Sequence, residues 1–249
     1  NAPNSALAAN FNTIYARRSG KKVTSAEKQT PITPLAVEQF RSRGPSGRGR
    51  ISLPQDDLSV GARYAGELIA EFIAKAGGSV EGDVSIGSVP EGLKPVYVHR
   101  QSRDLAELVK LMLIGSNNYI ANQIFLQIGA HRLGGPVSLA KSLQIAGGLF
   151  IEHDLVKDIK LEEGSGISPS NQFTAHGLAM LLDQFAPHAE LLRKSRAGSR
   201  YKTGTIAGVK TLAGYAVTSN HGLVRFVILL GGNTGKTRFN LLRAIERNL

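Results

Sequence analysis

The stretch YKTGTIAGVKTLAGYAVTSNHGLVRFVILL, residues 201–230, decides the fold class. It contains three runs rich in β-branched and aromatic residues: Tyr201 to Ile206, Val209 to Thr218 and Leu223 to Leu230. Only short turns with Gly or Asn separate them, the pattern of consecutive antiparallel strands. Working outward, the flanks are helical. Ala65, Leu68, Ile69, Phe72, Ile73 and Ala76 recur at three and four residues, and Gly77-Gly78 comes next, where a helix should stop. The same spacing predicts helices over Asp104 to Ile114 and, after a break at Gly115, over Tyr119 to Ile128. Others are predicted near Val137 to Ile145, over Ala175 to Phe185, and near Arg238 to Arg247. Helices, then an antiparallel meander, then a helix predict an α+β fold with an antiparallel sheet packed between helices.

The first 57 residues read differently. Asn10-Phe11-Asn12-Thr13-Ile14-Tyr15 has strand composition, and Pro31, Pro34, Pro45 and Pro54 punctuate the residues downstream of it. The Gly- and Arg-rich stretch from Arg41 to Arg50 is expected to be an exposed loop. The expected organisation is a small β-rich piece, 1–57, and a larger piece, 58–249.

Composition excludes several chemistries. There is no Cys among the 249 residues, so disulfides and thiolate catalysis are ruled out. The six His show no metal-ligand spacing. No apolar run approaches the ~20 residues needed to span a bilayer. The formal charge of +11 calls for an anionic partner or a solvated basic surface. Nucleic acid is disfavoured, because no aromatic residues interleave with Arg41, Arg43, Arg48 and Arg50 to stack on bases. Gly231 to Thr237 lies between a strand and a helix like a phosphate-binding loop, but Leu230 stands where that motif requires its first Gly.

Three short segments carry candidate chemistry. Ser116-Asn117-Asn118 falls in the break between two helices, where a turn can project Ser116 and Asn118 into one cleft. The alternative is that Ser116 caps the following helix. Lys202-Thr203-Gly204-Thr205 lies on the first strand of the meander. Strand period puts Lys202 and Gly204 on one face, and a Gly there suits a strand edge that another backbone approaches closely. The alternative is a surface Lys beside a bulge. Gly164-Ser165-Gly166-Ile167-Ser168 is by itself a flexible turn before a helix.

Taken together and in this order, the segments resemble the penicillin-binding proteins of the D-alanyl-D-alanine carboxypeptidase/endopeptidase family. That family uses Ser-x-x-Lys, Ser-x-Asn and Lys-Thr-Gly elements. Ser116-x-Asn118 and Lys202-Thr203-Gly204 match the second and third. Gly164 to Ser168 is similar to the Gly-Ser-Gly-Leu-Ser signature of the branch with large inserted domains, with Ile167 in place of Leu. Thr211-Leu212-Ala213-Gly214-Tyr215, Asn10-Phe11-Asn12 and Gln29-Thr30-Pro31 extend the likeness. The resemblance implies a serine β-lactamase-like transpeptidase fold, with 1–57 as a remnant of an inserted domain.

It also implies hydrolysis of peptidoglycan stem peptides by serine acyl transfer in the periplasm or another extracytoplasmic space. Stem peptides and β-lactams would be the ligands, and no cofactor is implied. Ser116 would relay a proton, Lys202 would polarise it, and Asn118 would hold the substrate backbone. Thr203 and Thr205 would grip the terminal carboxylate beside Gly204. One element departs from the pattern. Ser19/Lys22, Ser25/Lys28, Ser138/Lys141 and Ser199/Lys202 have Ser-x-x-Lys spacing, but each lies in the wrong region or order. The chain is therefore expected to be a C-terminal portion without the nucleophile, inactive alone. A catalytically inactive wall-binding module is the alternative.

Overall fold

The computed structural model describes residues 2–232 and 236–248, which form two compact units, Asn1–His99 and Arg100–Leu249. In the first unit, strands β1 (Thr13–Ser19) and β2 (Lys22–Ser25) form a hairpin. Helix α1 (Pro34–Arg43), strand β3 (Gly47–Ser52) and helix α2 (Leu58–Lys75) come next. The sheet order is β2-β1-β3, antiparallel throughout. Alternate residues Ile14, Ala16 and Val23 face a core with Leu35, Ala36 and Phe40 of α1 and Tyr64 and Leu68 of α2. Burying side chains of this size contributes about 1.5–3 kcal/mol each.

Helix α1 begins where its sequence says it should. Thr33 accepts from the Ala36 N–H, and Pro34 occupies the first turn. The Leu35 N–H donates to Glu67 Oε2 of α2 at 2.8 Å, so a buried carboxylate sits at the positive end of α1.

Three expectations change here. Residues 10–12 are not strand: Asn10, Phe11 and Asn12 have φ of 49, 59 and 51°, and β1 starts at Thr13. The fully buried Asn12 stabilises this turn by donating from Nδ2 to Pro3 O and Ser5 Oγ. The stretch 41–50 is not one loop. Its start ends α1, and Gly47–Ser52 pairs with β1 through backbone groups while Arg48 and Arg50 stay exposed. Lastly, the units divide at His99/Arg100 rather than at 57/58, because α2 contributes Tyr64, Ala65 and Leu68 to the first unit's buried residues.

The second unit runs through helices α3 (Leu105–Gly115), α4 (Asn118–Leu133) and α5 (Leu139–Glu152). The short pair β4 (Ile159–Lys160) and β5 (Gln172–Phe173) precedes α6 (Ala175–Phe185). Strands β6 (Arg193–Lys194), β7 (Arg200–Ile206), β8 (Val209–Thr218) and β9 (Gly222–Gly231) then form an antiparallel sheet in that order, and α7 (Thr237–Asn248) ends the unit. The meander and all the predicted helices are present, though α4 and α5 run beyond their predicted ends at Ile128 and Ile145, to Leu133 and Glu152. The phosphate-loop lookalike includes Asn233, Thr234 and Gly235, which lie outside the described residues.

Strand alternation sorts the two faces of this sheet. Leu212, Ala216, Phe226 and Ile228 pack with Leu242 of α7. Tyr215 points the other way, packs near Leu182 and Phe185 of α6, and donates from its hydroxyl to Leu182 O. Burial, followed by the neighbouring Asp183 carboxylate, pushes the Tyr215 phenol up to about 12, so it stays a donor.

The register pairs Gly204 with Thr211. A Cβ built on Gly204 would meet Thr211 Oγ1 at 2.2 Å, so a side chain here requires the Thr211 hydroxyl or the strand to shift. Gly204→Ala is therefore expected to lower stability by about 1–3 kcal/mol. The same change in a Thr211→Ala background, where that oxygen is gone, should cost much less. Urea unfolding of the four variants measures this, and equal costs in both backgrounds would refute the contact.

Candidate active site

The α3–α4 corner and the start of β7 meet around one hydrogen bond. Lys202 Nζ donates to Ser116 Oγ at 2.6 Å, across 86 positions of sequence, and also to Thr203 O at 2.7 Å. Ser116 reaches this position through strain. It is the C-cap of α3 with φ 51° and ψ 51°, a left-handed conformation that disfavours residues other than Gly. The capping alternative for Ser116 does not hold, since Asn117 performs it by accepting from the Ile120 N–H at 3.0 Å. The Ser116 hydroxyl is thereby left for Lys202.

Burial of Lys202 pulls its pKa below the ordinary value, and the nearby cations Arg193 and Arg238 push it further down. Both arginines also brace the site. Arg193 Nη2 donates to Ile114 O at 2.9 Å, two residues before Ser116. Arg238 Nη1 donates to Gly204 O at 2.6 Å and to Thr205 Oγ1 and Thr211 O at 3.1 Å each. No sequence motif marks either arginine, because each acts across tens of residues.

Beyond Tyr201 the free edge of β7 is unpaired among the described residues, as β6 covers only Arg200 and Tyr201. This edge, Lys202 to Ile206, borders a mostly apolar cavity of about 1030 Å³. Leu113, Leu178, Leu182, Phe185 and Phe173 line the helical side, and Thr211, Ala213 and Leu229 line the sheet. Lys202 and Gly204 share the sheet face of their partners Ala213 and Thr211. Thr203 and Thr205 alternate to the other face, opposite Leu212 and Lys210, and Thr205 is exposed. Asn118 opens α4 and is half-buried, and neither it nor the exposed Ser116 lines the cavity.

The Gly164 to Ser168 turn forms another stretch of cavity wall through Ser165, Gly166 and Ser168. The sequence pattern gave no sign of what organises it. Glu163 accepts from Ser165 N and Oγ, Ile167 N, Ser168 N and Asn171 Nδ2. Gly164 donates to Asn122 Oδ1 of α4 at 2.8 Å and lies so close to Phe125 that a Cβ would sit 2.5 Å away. The remaining Ser-x-x-Lys pairs of this unit are occupied structurally. Ser138 caps α5 by accepting from the Lys141 N–H. Ser199 is fully buried, donates to Glu246 Oε1 at 2.6 Å and accepts from the Val217 N–H.

Burial pushes the Glu163 carboxyl up, but the hydrogen bonds from Ser165, Ser168 and Asn122 outweigh it and hold the pKa at about 2, against an ordinary 4.5. A carboxyl depressed on folding stabilises the turn fully above the ordinary value and loses that contribution as pH falls through the folded one. Amide exchange at Ile167 and Ser168 should therefore speed up between about pH 4.5 and pH 2, relative to residues outside the turn. In Glu163→Gln that pH dependence should vanish. Persistence of the same profile in the variant would show that another group controls the turn.

With this geometry in place, the relatives are informative. The model of the D-Ala-D-Ala carboxypeptidase 3 (S13) family matches residues 57–197, more than half of the chain, including Ser116, Asn118 and the Gly164 to Ser168 turn. The D-alanyl-D-alanine carboxypeptidase of Actinomadura sp. (strain R39) is 29% identical over 240 residues, covering 80% of this chain and 43% of the relative. The D-alanyl-D-alanine carboxypeptidase DacB of Haemophilus influenzae is 26% identical over 220 residues, covering 75% of this chain and 45% of the relative. The chain thus spans less than half the length of the curated relatives it matches. A crystal structure of penicillin binding protein 4 (dacB) from Haemophilus influenzae, complexed with a novel β-lactam, has a TM-score of 0.70. It is 17% identical, and the match covers 99% of this chain and 72% of that one, so the two share the fold. The chain belongs to the D-Ala-D-Ala carboxypeptidase 3 (S13) family.

Proposed function

We propose that these residues supply the proton-relay and substrate-edge half of a serine acyl-transfer site that hydrolyses peptidoglycan stem peptides after a D-alanine. The observation that carries this reading is the Lys202–Ser116 hydrogen bond. It joins the two motif segments of the sequence at hydrogen-bonding distance, although nothing local brings them together. Its lysine is desolvated and crowded by cations, which lowers the cost of giving up a proton. A Ser116–Lys202 pair in this state can pass a proton to a leaving amine once an acyl-enzyme forms on a separate serine. Ser138 and Ser199 are tied into the fold, so neither is assigned that role.

The substrate side of the site is the strand edge. An extended peptide can add to the unpaired edge of β7, where Gly204 carries no side chain to obstruct it. The Thr205 amide is assigned as an oxyanion donor. Exposed Thr205 with Arg238, and Thr203 one position inward, provide a cationic, hydroxyl-bearing place for a terminal carboxylate. Asn118 is assigned to hold the substrate backbone. A β-lactam, which presents a carboxylate beside a reactive amide, would occupy the same edge. Such a substrate places the working protein outside the cytoplasm.

A second reading, an inactive wall-binding module, is favoured by the structural employment of Ser138 and Ser199. Mass spectrometry separates the two. The 249-residue chain should gain no penicillin mass, whereas the gene product containing it together with a Ser-x-x-Lys segment should gain one. In that product Ser116→Ala and Lys202→Ala should slow acylation by about 10²–10⁴-fold, the usual size of a proton-transfer contribution. Both should leave the melting temperature nearly unchanged. Normal acylation in both variants would remove the roles assigned to them, and no acylation of the unsubstituted product would favour the wall-binding reading.

A further inference from the structure

The first unit's sheet has one covered face and one bare face. Ile14, Ala16 and Val23 point into the core, so the alternate residues Tyr15 and Arg17 of β1 and Lys22 and Thr24 of β2 point outward. The register places Arg50 opposite Tyr15, Arg48 opposite Arg17, and Lys22 opposite Ser19, all on that outer face. Arg17, Lys22, Arg48 and Arg50 are exposed and form a band across all three strands. The Arg17–Arg48 pair is unfavourable in isolation, since like charges directly opposite in an antiparallel ladder repel. Glu27 pairs with Arg50 at 2.5 Å, but among the described residues no carboxylate pairs with Arg17, Lys22 or Arg48.

We infer that this band docks an extended polycarboxylate, of the kind that peptidoglycan stem peptides present. The choice of carboxylate rests on the proposed function. The choice of a polymer without bases rests on Tyr15. It is the only aromatic residue at the outward positions, and Arg48 and Arg50 lie over its ring with Cζ 4.9 and 4.6 Å from the centroid. The ring is thereby taken from any stacking base, while the guanidinium groups keep their charge. Arg50 is held by Glu27, but Arg17 and Arg48 face each other across the ladder, and Lys22 lies on the same face of the neighbouring strand. One extended ligand crossing the strands therefore meets three cations that have no carboxylate partner among the described residues. Guanidinium groups suit the planar, bidentate geometry of carboxylate.

The test uses fluorescent poly-L-glutamate as the probe and reads anisotropy at about 50 and about 200 mM salt, the range over which ionic contacts to a polyanion weaken steeply. Arg17→Ser/Arg48→Ser should weaken binding about tenfold or more at the lower salt. It should also flatten the salt dependence by about one in logarithmic slope for each cation removed. Removing the repelling pair should not lower the melting temperature, which separates lost binding from lost folding. A control at two exposed lysines of the second unit, Lys157→Ser/Lys160→Ser, should change neither quantity. Equal weakening in the control would assign binding to net charge and overturn the proposal, as would no binding at the lower salt. Tighter binding of single-stranded DNA of equal charge, lost in the same variant, would overturn it in favour of nucleic acid. None of these readouts involves acylation, so a failure here and a failure of the catalytic reading are distinguishable.

Discussion

The hydrogen bond between Lys202 and Ser116 depends on how several elements of the second unit are placed. For it to form, a helix must end where its last residue can turn left-handed, and the next residue must take over the capping of the following helix. Ser116 and Asn117 divide these duties. On the other side, the β7–β8 register must present Lys202 on the cavity face, which it does by pairing Lys202 with Ala213 and Gly204 with Thr211. A one-residue slip would turn Lys202 toward α7 and its apolar cluster. The contact of Gly204 with Thr211 leaves little room for such a slip, so a packing constraint two residues away keeps the lysine in place.

Charge gives the site its chemical character. Lys202 is held among Arg193 and Arg238 and, among the described residues, has no carboxylate ion-paired to it, an arrangement that disfavours its own protonation. In the proposed function the same cations that depress the lysine would attract an anionic ligand end, and a carboxylate arriving at the strand edge would relieve the crowding. The Gly164 to Ser168 turn works with the opposite sign. Glu163 directs its charge inward, to the amides and hydroxyls of its own loop, and leaves that wall of the cavity polar but close to neutral.

The first unit shows how a basic sequence can be ordered with few acidic partners: among the described residues Glu27 pairs with Arg50 and Glu67 with Arg63. Its core is made by one sheet face and two helices, and the outer face carries cations that backbone pairing holds in register. Arg48 and Arg50 are partly accommodated over Tyr15; Arg50 is also paired with Glu27, while among the described residues Arg48 has no carboxylate partner. Composition alone could not distinguish this from a disordered Arg- and Gly-rich loop, because a β-ladder is made by backbone groups that Gly and Arg supply as well as any other residue. The ownership of α2 was hidden for a related reason. Its apolar spacing announces a helix, but not which core takes Tyr64 and Leu68.

What the sequence determined by itself was local. Apolar spacing located the five α-helices described in the second unit but not the 3-10 helix at Ala186–Leu191, and the Gly- and Asn-punctuated runs located the meander, because these patterns are properties of neighbouring residues. Motif order also carried the family, and it singled out Ser116, Asn118 and Lys202 to Thr205 before any geometry was known. Tertiary structure decided the rest. It assigned capping to Asn117 rather than Ser116, turned Thr203 and Thr205 away from the face shared by Lys202 and Gly204, and kept both Ser116 and Asn118 off the cavity wall. It also brought in Arg193, Arg238 and Glu163, which no pattern had marked. The physical reason is range. A cap competes with its immediate neighbours and a strand face is set by its register, but a bond between residues 116 and 202 exists only once two elements far apart in the chain have packed.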